Sequence, residues 1–349
     1  MPDNKQSDNL LQPQELNPAV ELTEKVLAEL DHVLLGRSAL HRMVLIGILS
    51  QGHILLEGVP GVGKTALVKA LGQLLSLDFN RVQFTPDLMP GDIVGTHILQ
   101  QTPEGKREMT FQAGPVFTNI LLADEINRAS PKTQSALLEA MQERSVTLLG
   151  NTRILPSPFF VLASQNPIEL EGTYPLPEAQ LDRFLFKLIV PHADVDVLDD
   201  IISTRRRGEP PVPTWSMSVE ELNQLFDVMD RIFLPKPVSR YISRLTAATH
   251  PTTPETTEEV KKYVTYAASP RAAIAMAEAT RASALLAGRP TVGFEDVKAV
   301  ASAVLNHRVI LNYQARFDGV DTFTVVDSLL AALDDTDLNL PDDLEIRSA

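Results

Sequence analysis

Cysteine is absent from all 349 residues, so neither a disulfide framework nor a thiolate metal site can be built. Such a composition fits a reducing interior. Cations are in short supply: 31 Lys and Arg stand against 45 Asp and Glu, for a formal net charge of −14. That balance argues against unspecific affinity for nucleic acid or for an anionic membrane, since both reward dense Lys and Arg. The seven histidines are scattered, with no zinc-ligand spacing among them. The longest apolar stretch, MVLIGIL at Met43–Leu49, is far too short to span a bilayer. The opening MPDNKQSDNLLQPQELNP lacks the basic and apolar regions of a signal peptide. These absences together predict a soluble, cytoplasmic protein with no membrane span.

What is present is an ordinary globular composition, 44% hydrophobic, at a length that suggests about two domains on a prior of roughly 150 residues each. HILLEG (His53–Gly58), RVQF (Arg81–Phe84), NILLADE (Asn119–Glu125), FFVLASQN (Phe159–Asn166) and FLFKLIV (Phe184–Val190) read as strands. They are short and mostly apolar on both faces, as buried parallel strands are. Helical patterns alternate with them, which indicates a parallel α/β sheet. One such helix, SPKTQSALLEAMQER, has Ser130 as N-cap and Pro131 at its first position. Two insertions resemble β-hairpins: Gly91–Gly114, joined around Pro103-Glu104-Gly105, and Arg144–Pro158, turning at Gly150-Asn151. After the Pro-rich linker RRRGEPPVPTW (Arg205–Trp215) strands largely disappear and the pattern is helical. The clearest helix there runs from Arg271 towards Gly288, with Ser269 able to cap it and Pro270 at its first position. The expected organisation is a disordered segment 1–18, an α/β core 19–207, a helical domain 208–334 and a loose acidic tail 335–349.

Gly58-x-x-x-x-Gly63-Lys64-Thr65 satisfies the P-loop pattern in its required context, after a strand and opening a helix. Backbone N–H groups of such a turn form an anion nest, and the helix adds its positive N-terminal dipole. Lys64 can reach the β- and γ-phosphates, and the Thr65 hydroxyl can ligate Mg²⁺. The base-reading motif of GTP-binding proteins, Asn-Lys-x-Asp, has its nearest text in NKQSD at Asn4, where the acid falls one residue late. Adenine is therefore favoured. ILLADEINRA ends a strand in adjacent carboxylates: Asp124 suits Mg²⁺ contact and Glu125 suits polarising an attacking water, with a helix-start charge pair as the plain alternative, which the P-loop strand earlier in the chain disfavours. Asn166 could orient water without titrating, or simply make a turn with its proline. Arg183 and Arg271 are candidates for stabilising charge on a transferring phosphoryl group, with an ion pair to a nearby carboxylate as the plain alternative.

In order and spacing these pieces resemble the AAA+ ATPases, and more narrowly the MoxR family, from about Asp31 to about Asn312. The most specific text is GVPGVGKT, LLADEINRA, LLEAMQER and SQNPIELEGTYPLPEAQLDRFLFK. The resemblance implies a P-loop NTPase (AAA+) parallel-sheet core with two β-hairpin inserts, followed by a helical lid. It implies that Gly58, Val59, Pro60, Gly61, Val62, Gly63, Lys64 and Thr65 form the Walker A cradle for ATP, with Ala66 beside them. Leu121–Glu125 is then Walker B with Glu125 catalytic, Asn166 is sensor 1, Arg183 is an arginine finger acting on the neighbouring subunit's ATP, and Arg271 is sensor 2 on the lid. LLGR (Leu34–Arg37) matches the loop that packs on adenine, through Leu35 and Gly36. It further implies Mg²⁺ as cofactor, a homo-oligomeric and most often hexameric ring, and chaperone work on a protein client, metal-cofactor insertion included. A von Willebrand factor A domain protein often accompanies such ATPases. A nucleic-acid motor is the first alternative, and it is disfavoured because Glu104 and Glu108 flank Lys106 and Arg107 in the first hairpin. A slow ATP-gated scaffold is the second.

Overall fold

The computed structural model describes residues 11–58, 63–101, 107–166, 173–205 and 210–334. The chain packs as two compact units, one comprising residues up to Ile232 with Leu285–Pro290, the other Phe233–Ala284 with residues from Thr291 onward.

The first unit opens with α1 (Pro13–Val33), whose buried residues Leu16, Ala19, Thr23, Val26, Leu30 and Val33 recur at alternating spacings of three and four. That stripe is one face of a helix, and it packs against α2 (Ser38–Leu49) and α3 (Lys64–Leu74). Residues 13–18, expected to be disordered, are helical instead. Pro13 stands at the first helical position, and the Gln12 N–H is taken by the Glu15 carboxylate at 3.1 Å.

Five strands form one parallel sheet in the order β2-β5-β8-β1-β9: β1 (Ile54–Glu57), β2 (Phe79–Gln83), β5 (Ile120–Asp124), β8 (Phe160–Gln165) and β9 (Phe186–Ile189). Every pairing is parallel, with Leu55 opposite Ala163 and Ala123 opposite the same residue on its other side. All five lie within two residues of the stretches read as strands. The core between the sheet and α5 (Pro131–Glu143) holds Leu55, Phe84, Leu121, Leu137, Leu138, Val161 and Phe184. Ser130 caps α5, its hydroxyl accepting from the Thr133 N–H at 3.4 Å.

The two insertions are hairpins. The first follows α4 (Pro90–Val94) and pairs β3 (Gly95–Gln101) with β4 (Arg107–Ala113), and its expected turn at 103–105 lies outside the described residues. The second pairs β6 (Ser145–Leu148) with β7 (Asn151–Ile154), and Leu148 faces Asn151 across it. The turn is therefore Leu149-Gly150, not Gly150-Asn151, with φ of 50° and 78°. Two residues at positive φ make the type I′ turn whose twist matches a tight hairpin. Three further helices complete the unit: α6 (Glu178–Leu181), α7 (Val195–Thr204) and α8 (Val219–Arg231). Because α8 packs on α1 and α2, it belongs with the sheet, and the division falls at Ile232 rather than at 207.

The second unit is helical, with α9 (Lys236–Ala248), α10 (Glu258–Tyr263), α11 (Pro270–Leu286), α12 (Phe294–Leu305), α13 (Tyr313–Asp318) and α14 (Thr322–Ala332). One small antiparallel pair, β10 (Val264–Tyr266) with β11 (Ile310–Leu311), interrupts them. The fully buried Tyr241 of α9 meets Phe294 of α12 edge to face, centroids 5.5 Å apart.

His53 fastens the first unit at the base of β1. Its Nδ1 accepts the Val161 N–H at 3.0 Å, so Nε2 carries the proton and donates to the Met141 carbonyl at 3.2 Å. Burial pulls the imidazole down from 6.5 to about 4; the bond to Met141 opposes the shift and Arg144 adds to it. An unfolded chain binds this proton near pH 6.5 and the fold only near pH 4, so the contribution is complete above 6.5 and drains away as pH falls to 4. Urea unfolding should show a loss of about 3 kcal/mol from this group across that window. In His53→Gln the fall of stability with acid should be correspondingly shallower.

Candidate functional site

Strands β1, β5 and β8 are parallel neighbours, so their C-terminal ends share one edge of the sheet, where ligands of open α/β folds bind. Glu57 and Gly58 end β1, Asp124 and Glu125 end β5, and Gln165 and Asn166 end β8. The expected contacts at Val59, Pro60, Gly61 and Val62 lie outside the described residues.

Gly63 precedes α3 at φ 83°, a conformation open to glycine at little cost, and no side chain caps the helix. The first-turn N–H groups of α3, those of Thr65 and Ala66 included, carry the positive end of the helix dipole, and the N-cap glycine has no side chain to accept from them. Lys64 is buried, and its Nζ donates to the Gly58 carbonyl at 2.7 Å. Burial lowers the pKa of this amine, while Asp124, Glu125 and Glu57 push it back. Each of those carboxylates holds a second cation. Asp124 pairs with Arg81 at 2.7 Å, Glu125 with Arg128 at 3.0 Å and Glu57 with Lys187 at 3.0 Å.

Asp124 and Glu125 are set by a residue that the sequence reading passed over. Asp124 Oδ2 accepts from Arg81 Nε and a terminal nitrogen at 3.2 and 2.7 Å, and Oδ1 accepts the Ser164 hydroxyl at 2.5 Å. The same Ser164 Oγ accepts the Glu125 N–H at 2.9 Å. Glu125 itself sits at φ 55°, in the left-handed region that costs a non-glycine residue about 1–2 kcal/mol. A polar residue inside the apolar run FFVLAS was the available signal for Ser164.

After Glu125 a short 3-10 turn, Ile126–Arg128, leads to α5. Gln134 of α5 clamps this turn, its buried Nε2 shared among the carbonyls of Ile126 (3.2 Å), Ala129 (3.2 Å) and Tyr174 (2.9 Å). Asn166 and Asn127 adjoin, with Asn127 Nδ2 donating to the Asn166 carbonyl at 3.4 Å. The side-chain oxygen of each asparagine is buried without a hydrogen-bond partner among the described residues. Such orphans cost about 1–3 kcal/mol each and mark where donors from a ligand or its hydration shell fit. No cluster of three His, Asp or Glu occurs among the described residues. Mg²⁺ keeps water and phosphate ligands, so a hydroxyl such as that of Thr65 and a carboxylate such as Asp124 fit its donor chemistry.

Leu35 and Gly36 follow α1. Gly36 has φ 74°, and a Cβ there would stand 2.1 Å from the Val197 side chain of α7, so only glycine fits. Arg183 lies elsewhere, between α6 and β9, in an open hollow of about 220 Å³ lined also by Ser135, Glu139, Gln142, Glu143 and Gln180. None of the β1, β5 or β8 edge residues lines that hollow, and Arg183 Nε is buried there without a hydrogen-bond partner among the described residues. Arg271 belongs to the second unit, exposed on the first turn of α11, where Ser269 Oγ accepts its N–H at 3.2 Å.

Comparison with known proteins agrees with this fold. Residues 53–186 match the family model described as "ATPase family associated with various cellular activities (AAA)", and residues 257–329 match the AAA lid domain. Chaperone MoxR1 of Mycobacterium tuberculosis is 43% identical over 311 residues, covering 89% of this chain and 81% of that protein. The chain belongs to the MoxR family of AAA+ ATPases. Protein MoxR of Paracoccus denitrificans is 32% identical, over 82% of this MoxR-type chain and 87% of its own. A crystal structure of a candidate ATPase from Cytophaga hutchinsonii superposes with a TM-score of 0.83 at 39% identity, covering 92% of this chain and 97% of that one. The fold is thus an AAA+ parallel-sheet core with an AAA lid, and no helix among the described residues is long and apolar enough to cross a membrane.

If Ser164 carries both hydrogen bonds, Ser164→Ala leaves a buried Asp124 oxygen and the Glu125 N–H short of a partner. Chemical denaturation should then register a loss of about 1–3 kcal/mol. A Ser164→Ala protein as stable as the parent would show that neither bond matters to the fold.

Proposed function

We propose that this MoxR-type chain is an Mg²⁺-dependent ATPase, converting ATP and water to ADP and phosphate, and that it works as a homo-oligomeric, hexameric ring that remodels protein clients. The observation that carries the reading is the pair of carboxylates, Asp124 and Glu125, tied by one Ser164 hydroxyl within electrostatic reach of Lys64. Lys64 and the N-terminus of α3 hold the phosphates. Thr65 and Asp124 hold Mg²⁺, which when bound supplies charge neutralisation to the phosphates. Glu125 accepts a proton from the attacking water once its carboxylate leaves Arg128, and the Asn166 amide orients that water without titrating. Leu35 and Gly36 pack on the base.

In this reading Arg183 completes the site of the adjacent subunit, and Arg271 on the lid serves as a further cation for the nucleotide. The partnerless Nε of Arg183, in a hollow away from the chain's own phosphate edge, supports action in trans. A protein client is favoured over nucleic acid because the hairpins offer apolar rather than cationic surface. Leu99 faces Met109 across the first hairpin and both are exposed, at 58% and 61%, while Leu149 at the tip of the second is 78% exposed. A von Willebrand factor A domain protein as partner, and metal-cofactor insertion as the task, are the narrower forms of the same proposal.

The test is steady-state ATP hydrolysis per subunit over a wide range of protein concentration with Mg²⁺ present. A rate that climbs and saturates indicates sites completed between subunits. Arg183→Ala mixed with Lys64→Ala should then regain part of the activity that each lacks alone. Glu125→Gln should bind ATP and lose at least about 100-fold in turnover. A Glu125→Gln protein that turns over ATP like the parent would sink the catalytic assignment. A low rate, constant with concentration, would favour an ATP-gated scaffold.

A further inference from the structure

Asn127 is the buried polar side chain of this edge to which the carboxylates and Asn166 leave no task. It stands in the 3-10 turn just after Glu125 and is 7% exposed. Its backbone carbonyl accepts the Tyr174 N–H at 2.6 Å, and its Nδ2 donates to the Asn166 carbonyl at 3.4 Å. That second bond fixes which way the amide points, because turning it over would set oxygen against oxygen. Oδ1 is the end left over, and it is buried with no hydrogen-bond partner among the described residues. Asn166, adjoining it and 6% exposed, carries a second such oxygen. The polar groups around the pair are engaged elsewhere. Gln134 Nε2 serves the carbonyls of Ile126, Ala129 and Tyr174, Lys64 Nζ serves Gly58, and the Glu125 carboxylate holds Arg128. An amide oxygen only accepts, so these two call for a donor and are unsuited to a phosphate oxygen. Water, with two O–H groups, is the small donor that fits a buried polar site of this kind.

We infer that Asn127 holds the attacking water together with Asn166, each amide oxygen accepting one of its O–H groups while Glu125 is still paired with Arg128. The inference rests on the reading of this edge as the site of ATP hydrolysis, and it adds a residue to that reaction. Two neutral acceptors tie down both protons of the water and leave its lone pairs free for attack. Once Glu125 leaves Arg128 it takes one proton, the water oxygen bonds to the γ-phosphorus, and ADP departs; the other O–H keeps its amide. Asn127 thereby acts on the water and not on the affinity for nucleotide.

Turnover of ATP by the full chain with Mg²⁺, set beside calorimetric binding of the non-hydrolysable analogue AMP-PNP and unfolding in urea, tests this. Asn127→Ala should lower kcat by roughly 10- to 100-fold, the scale of one lost hydrogen bond to a reacting group, and leave the AMP-PNP affinity and the urea midpoint as in the parent. Asn127→Leu, of similar shape and without polar atoms, should do the same and carries the test if Asn127→Ala fails to fold. Because both amides hold one water, Asn127→Ala and Asn166→Ala combined should cost less than the product of their separate losses. Parental kcat in the folded variant overturns the inference and leaves the ATPase reading standing. Losses that multiply overturn the shared water, and a joint fall of kcat, AMP-PNP affinity and urea midpoint overturns it by making Asn127 a residue of the fold. A parent protein that neither binds AMP-PNP nor hydrolyses ATP overturns the ATPase reading and this inference with it.

Discussion

One hydroxyl holds the chemistry of this edge in register. Ser164 Oγ donates to Asp124 Oδ1 and accepts from the Glu125 N–H, so a single atom on β8 governs both the carboxylate that ends β5 and the backbone that turns away from it. The bond is available only because β5 and β8 are adjacent and parallel, with Ala123 opposite Ala163. Without it Glu125 would have less reason to occupy a left-handed conformation, and Asp124 would be oriented by Arg81 alone. The ion pairs around Lys64 depend on the same strand order, since Arg81 comes from β2 on one side of β5 and Lys187 from β9 beyond β1.

Much of this was legible in the residues and some was not, for physical reasons. The central strands β1, β5 and β8 could be read because burial on both faces leaves a plain apolar run. The helices from Pro131 and Pro270 could be read because a serine followed by proline satisfies the first turn in a purely local way. Residues 13–18 misled because their polar composition hides a stripe, Leu16 to Val33, that becomes visible only when the whole of α1 is taken as helix. The hairpin turn moved by one residue because a leucine at positive φ runs against local preference, and strand register overrode it. Contacts such as those of Arg81 and Ser164 with Asp124 join residues about forty positions apart, and no local spacing announces them.

Two arginines that resemblance ties to one reaction stand in different surroundings. Arg183 has its Nε enclosed without a hydrogen bond among the described residues, whereas Arg271 is exposed at a helix start in a separate unit. An enclosed donor without an acceptor is a cost to the fold. The hollow around Arg183 also presents Glu139 and Glu143, so whatever enters must suit both signs of charge.

Gln134 gives α5 a mechanical role. Its amide grips the turn after Glu125 at Ile126 and Ala129, and it reaches Tyr174 as well. One residue further along the same helix the lining of the Arg183 hollow begins, with Ser135, and it continues to Glu143. One helix of 13 residues thus carries both the amide that grips the Glu125 turn and much of the wall of the Arg183 hollow, and the position of each is tied to the other through that helix.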